Sequence, residues 1–209
     1  MNYTAMHDAM FFALYGLAAL GVYVIFERLI FYTIAAAEAR KLSTLPAPEL
    51  KAQARWGKTH GPAVDMLASF LSQRPSLSTR HEIEDVAEAA YLGARHRLQR
   101  HLWIVDTLVT AAPLLGLLGT ILGIIDTFQA LATSGISDPG AVSRGIGTAL
   151  FATALGIAVA LVGLLANNFF NDRVDRIGDA LKIILLKAGQ GPIDAESNAA
   201  REVRVAGVR

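Results

Sequence analysis

Three long apolar stretches decide what this chain can fold into. The first runs from about Ala9 to Ala37 and is interrupted only by Glu27–Arg28. The second is Trp103 to Ala132 and the third Gly145 to Phe170. Crossing roughly 30 Å of hydrocarbon takes about 20 mostly apolar residues, and all three stretches meet that length. The 209 residues are 53% hydrophobic with a mean hydropathy of +0.41, too oily for an ordinary soluble domain. The expected fold is therefore all-α: a three-transmembrane-helix membrane protein with long helices extending into the cytoplasm.

Composition removes several function classes. The net charge of +1 gives no case for nucleic acid. The absence of cysteine excludes disulfides, thiolate zinc sites and cysteine nucleophiles. The first ten residues, MNYTAMHDAM, carry no Lys or Arg, so the positive region of a signal peptide is missing and the first stretch is expected to stay as a span.

Orientation follows from the cationic residues. Ten Lys and Arg fall between Glu38 and Leu102, and seven follow Phe170. None occurs in the first ten residues or in TSGISDPGAVS, Thr133 to Ser143. The positive-inside rule then puts the large loop and the tail in the cytoplasm and the N-terminus outside. The resulting organisation is 1–37 for the outer N-terminus and first span, and 38–102 for a cytoplasmic helical loop. It continues with 103–132 for the second span, 133–144 for a short outer turn, 145–170 for the third span, and 171–209 for a cytoplasmic helix and loose tail.

Within the loop, the segment from Pro46 to Gln73 reads as short helices broken at Gly57 and at Gly61–Pro62, with an amphipathic piece at Val64 to Leu71. The next segment is a stronger helix. Ser78 or Thr79 can cap it, acids crowd its first turns, and Arg95, Arg97 and Arg100 crowd its later ones, as the helix dipole favours. With no proline or turn before Trp103, one helix is expected to run straight into the second span. After the third span, Val174, Ile177, Leu181 and Leu185 keep helical spacing until Gly189, Gly191 and Pro192 stop it.

Small residues mark the helix faces. Gly116, Thr120, Gly123 and Thr127 recur at four, three and four residues, so they share one face of the second span, with Gly119 beside them. Gly145, Ala149, Ala152, Thr153, Gly156, Ala160 and Gly163 form a small face on the third. Two readings stand. The faces serve tight helix packing, with threonines bonded back to their own helix, or they line a polar path. Asp126, roughly two turns inside the second span, should face protein, water or the headgroup level, because a carboxylate in the bilayer core costs several kcal/mol. Glu27–Arg28 reads as a charge pair near the interface with Arg28 snorkelling, or as a contact inside an assembly. His96 and His101, five residues apart, share no helix face and read as solvent or headgroup contacts.

The block APLLGLLGTILGIIDTF, followed by GIGTALFATALGIAVALVGLLANNFF and preceded by ERLIFY at Glu27 to Tyr32, resembles the ExbB/TolQ/MotA family, nearest to ExbB and TolQ. The resemblance covers all three spans in order. It implies an inner-membrane subunit of a proton-driven motor, with a periplasmic N-terminus and a cytoplasmic C-terminus. Such subunits form homo-oligomeric rings, five-fold in the better understood cases, with the second and third spans lining the interior. Inside sit single-span ExbD-like or TolR-like partners, each with a membrane aspartate, and ExbB systems pass the motion to a TonB-like protein. It further implies that Thr120 and Thr153 are pore-facing hydroxyls beside the partner's aspartate, with Thr127 extending the polar track. The coupling ion is H+, with Na+ left open, and no other cofactor is implied. Thr148 stands where ExbB and TolQ carry a glutamate, and Asp126 is a candidate substitute for that carboxylate.

The work implied is transduction and not covalent catalysis. Three other assignments remain: a TolQ-like subunit for envelope maintenance, a self-contained channel or transporter, and a scaffold whose polar face only packs. A four-span MotA-like stator disagrees with a count of three.

Overall fold

The structure is a computed structural model and describes residues 3–56, 61–76, 79–134 and 139–189. Among the described residues six α-helices follow one another: α1 (Tyr3–Thr44), α2 (Ala47–Trp56), α3 (Pro62–Gln73), α4 (Arg80–Gln99), α5 (Leu102–Ser134) and α6 (Pro139–Gly189), with a 3-10 turn at Arg74–Ser76. No strand occurs among the described residues. The fold is all-α, and α1, α5 and α6 are long and apolar enough to cross a membrane. Helix α6 is already helical at Pro139, six residues ahead of Gly145. The expected break at Gly57, the cap at Ser78, the stop at Gly191–Pro192 and the tail from Ile193 lie outside the described residues.

Two compact units result: residues 1–29 with 101–170, and residues 30–100 with 171–209. The first packs α1, α5 and α6 through two small clusters. Met10, Leu122 and Ala152 form one, and Leu14, Ala112 and Ala160 the other. Each draws one residue from each helix, so the three helices share a core. Glycines set how near they come. Leu108 of α5 lies between Gly21 of α1 and Gly163 of α6; a β-carbon on either glycine would stand 2.7 or 3.0 Å from a Leu108 methyl. Helix α5 runs through Pro113, whose missing N–H leaves the Val109 carbonyl without its intrahelical donor.

Most of the apolar surface faces outward. Only 22%, 33% and 28% of the most apolar stretch of α1, α5 and α6 is buried within the chain. Phe12, Tyr23, Leu114, Phe128, Leu165 and others stand exposed. In water such faces would drive aggregation, so lipid or further protein must cover them.

In the second unit, Leu50, Met66, Leu67, Phe70, Leu98, Leu181 and Ile184 form the buried interior. Polar contacts fix the helix ends. The Tyr32 hydroxyl donates to the Leu98 carbonyl at 2.6 Å. The Glu38 carboxylate accepts from the Val64 amide at 3.2 Å, serving one orphan donor at the start of α3, where Gly61 offers no side chain and Pro62 no N–H. Lys187 donates to the Ser43 and Leu45 carbonyls at 2.5 and 3.4 Å, where the C-terminal end of α1 favours a cation. Helix α4 begins with a capping box: Thr79 accepts from the Glu82 amide at 3.3 Å, and Glu82 accepts from the Thr79 amide at 3.1 Å.

The expected uninterrupted helix into the second span does not form. Arg100 leaves helical geometry at φ −55°, ψ 134°, and His101 has φ 71° before α5 starts. His101, read as a solvent or headgroup contact, is 39% exposed at its side chain and also engages Arg28. Its Nδ1 lies 2.7 Å from Arg28 Nη2, and an arginine has only donors, so the ring nitrogen accepts. Arg28 in turn donates to both oxygens of Glu27, at 2.7 and 3.1 Å. It is not snorkelling, because its side chain is 5% exposed. The Glu27–Arg28 charge pair expected from the sequence is therefore present, and His101 joins it.

Candidate functional site

Chemistry concentrates where α5 and α6 touch. Gly116, Ala149 and Gly156 remove side-chain bulk from the seam. A β-carbon on Gly116 would stand 2.8 Å from the Ala152 carbonyl and 3.2 Å from Gly156 Cα. At so close an approach a side chain of one helix reaches the backbone of the other. Thr120 donates within range of the Gly116 carbonyl of its own helix, 3.3 Å, and of the Ala149 carbonyl across the seam, 3.0 Å. Thr153 donates across the seam to the Gly116 carbonyl at 3.1 Å, and the two hydroxyls also meet each other.

The pair is half-buried. Its hydrogen-bond capacity is lopsided. Two hydroxyls bring two protons and four lone pairs. The neighbouring carbonyls absorb protons, while the contact between the hydroxyls uses at most one lone pair. The edge of the seam is therefore an acceptor site. It suits a donor such as water or a protonated carboxyl, and it stays uncharged whether or not one arrives.

The other expected residues lie elsewhere. Thr127 shares the Thr120 face but is 9% exposed, pressed against Gly145, and donates to its own helix at Gly123 at 2.7 Å. Gly119 faces Met10 of α1 and Ala152 of α6. Thr148 is exposed and donates back to the Arg144 carbonyl at 3.0 Å. Asp126 is half-buried, and among the described residues it has no hydrogen bond or ion pair. It comes six residues after Thr120, which turns it about 120° away from the threonine face. Among the described residues, no three His, Asp or Glu side chains gather as a metal site would require.

Sequence reasoning missed the partners of these hydroxyls. The four-residue spacing that predicts back-bonding within one helix accounts for Thr127 and Thr148. The available signal for Thr120 and Thr153 was the coincidence of a hydroxyl with a glycine or alanine face on both helices.

Residues 61–182 match the family model described as the MotA/TolQ/ExbB proton channel family. A biopolymer transport protein ExbB homolog of Methanothermobacter thermautotrophicus is 29% identical over 184 residues, 81% of this chain and 63% of that protein. Biopolymer transport protein ExbB of Aquifex aeolicus is 40% identical over 77 residues, 37% of this chain and 52% of its own length. The Tol-Pal system protein TolQ of Pseudomonas aeruginosa is 33% identical over 112 residues, 52% of this chain and 48% of that protein. The chain thus spans about half to just under two thirds of the length of these relatives.

Proposed function

The chain belongs to the MotA/TolQ/ExbB proton channel family, and from that premise we propose that it is the ring-forming inner-membrane subunit of a motor driven by the proton-motive force. With an ExbD-like single-span partner it energises TonB-dependent uptake of iron chelates and vitamins across the outer membrane. Several copies, five in this reading, surround the partner, and α5 and α6 line the interior. The N-terminus is periplasmic and the C-terminus cytoplasmic, as the Lys and Arg of residues 38–102 and 171–209 favour.

The Thr120–Thr153 pair carries the reading. A carboxyl in a membrane interior is costly when charged and needs a hydrogen-bond partner when neutral. An uncharged acceptor at the seam supports the protonated acid of a partner without trapping it as an ion pair. Transfer then moves a proton between the partner's carboxyl and water, and the threonines hold and orient. This is transport of H+, with no covalent catalysis. Thr148 leaves the ring without the carboxylate that ExbB and TolQ carry there; Asp126 is the candidate substitute, and its place off the threonine face makes it a separate question from the hydroxyl pair.

The test is proton-driven uptake of an iron chelate by cells that carry the chain with its ExbD-like neighbour. The double variant T120V/T153V keeps shape and removes both hydroxyls; uptake should fall at least tenfold while the complex keeps its size. Retained uptake would favour the scaffold reading. D126N tests the substitute carboxylate separately, and unchanged uptake removes Asp126 from the proton path. The TolQ relative supports a second reading, envelope maintenance. A Pal-like gene beside this one would favour it, and a TonB-like gene with a receptor the first.

A further inference from the structure

The outward surface of α5 divides into two strips. Trp103, Leu114, Leu118, Ile121 and Ile125 make the first, within an arc of about 60° at 100° per residue, and all are exposed. Asp106, Thr110, Pro113, Leu117 and Thr120 make the second, within about 80°. Asp106, Thr110 and Leu117 are exposed there, and Pro113 and Thr120 are half-buried. The buried face, with Val105, Leu108, Ala112 and Leu122, lies on the far side of the helix. The first strip suits lipid or an apolar partner.

The second strip is polar along its length. At one end stands the Thr120–Thr153 pair with its surplus of lone pairs. Thr110 directs its proton to the Asp106 and Thr107 carbonyls, at 3.3 and 3.1 Å, and keeps lone pairs for an incoming donor. Beside it the Val109 carbonyl lacks its intrahelical donor, because Pro113 has no N–H. Leu117 is the one large apolar side chain in the series. At the other end the Asp106 carboxylate has no hydrogen bond or ion pair among the described residues. It stands one turn inside the apolar stretch that begins at Trp103, about 21 Å along the helix from Thr120. A carboxylate that only marked the headgroup level would serve from any side of α5. This one stands on the strip that leads to the hydroxyl pair.

We propose that Asp106 is the carboxylate through which protons leaving the Thr120–Thr153 site reach the cytoplasm. The inference rests on the proton-motor reading and adds an exit to it. The partner's carboxyl releases its proton to water held at the hydroxyl pair. Water along the strip, donating to the Val109 carbonyl and the Thr110 hydroxyl, relays it. Asp106 binds that proton as an O–H and gives it to bulk water, ending as the carboxylate it began as. No other bond is made or broken. A negative charge at the mouth also concentrates cations there and repels anions.

The test uses the chain purified with its ExbD-like neighbour and reconstituted in lipid vesicles. Proton flux under an imposed membrane potential is read by a trapped pH dye, and the size of each complex by gel filtration. T120V/T153V should lose flux, which checks the reading on which the exit depends. D106N should lower flux at least about tenfold, as loss of a positioned proton-transfer group implies, and leave the complex its size. D106E, which keeps the carboxylate, should keep most of the flux. No flux from the wild type, or full flux from T120V/T153V, would remove the proton-motor reading and this exit with it. Flux lost in T120V/T153V but kept in D106N would overturn the exit alone. So would equal losses in D106N and D106E, or a change in complex size in D106N, since the residue would then hold shape and not a proton.

Discussion

Gly156 and Gly116 bring the backbones of α6 and α5 together with no side chain between them: a β-carbon on Gly156 would stand 2.5 Å from the Ala112 carbonyl oxygen and 3.0 Å from Gly116 Cα. Neither neighbour is the end of a flexible side chain, so a substituent can fit only if the helices move apart. The same approach lets Thr153 reach the Gly116 carbonyl, which ties the packing of the seam to its chemistry.

Gly156→Ala should therefore lower stability by about 1–3 kcal/mol, the usual cost of forcing extra volume into a packed contact. Gly147→Ala, on the same helix with nothing within 4 Å of the added carbon, should be neutral or raise stability by up to about 1 kcal/mol through helix propensity. Thermal unfolding of the two purified variants in one detergent checks the pair. Equal behaviour would mean the seam is looser than described.

Thr153→Val retains the shape of the side chain and removes a bond across the seam. Such bonds average about 0.6 kcal/mol and reach about 1.7 in membrane helices, so the unfolding midpoint should move by only a few degrees. Under the proposed function, proton-coupled uptake should fall much further, and Thr153→Ser should restore most of it. A proportionate loss of stability and uptake would argue that the hydroxyl only packs.

Arg28 is buried and divided between Glu27 and His101. Arg28→Ala leaves both acceptors, each more than a third exposed, without their donor and should cost about 1–3 kcal/mol. Replacing charge and partner together, as E27Q/R28M, should recover much of that loss. Chemical unfolding of the wild type and the two variants gives the comparison, and a harmless Arg28→Ala would show that the pair is hydrated.

Thr79→Ala removes half of the capping box and should destabilise the start of α4 by about 1 kcal/mol. Amide exchange at Glu82, whose N–H bonds the Thr79 hydroxyl, should quicken, and Thr79→Ser should leave it slow.

Much of the fold was legible because its signals are local. Apolar runs longer than 20 residues gave the three spanning helices, and a cap at Ser78 or Thr79 followed by acids announced the start of α4, where the structure uses Thr79. The break at Arg100–His101 was not legible. Neither glycine nor proline marks it, and the contact that engages His101 comes from Arg28, 73 residues earlier. The one weak hint is that histidine adopts left-handed backbone several times more readily than most residues. At the seam, the glycine and threonine spacing named the correct faces. It did not say that the two hydroxyls would meet, because that depends on the register between two helices.

The spanning helices cover only 22–33% of their most apolar stretches with their own chain. A newly made copy can therefore persist in the bilayer before it meets another, because acyl chains solvate what its own helices leave bare. For the ring proposed above, joining further copies becomes an equilibrium set by crowding in two dimensions, in which protein contacts displace lipid ones of similar apolarity. The number of finished assemblies should then rise more steeply than the amount of chain synthesised, and membrane area should act on it as dilution does on a soluble oligomer.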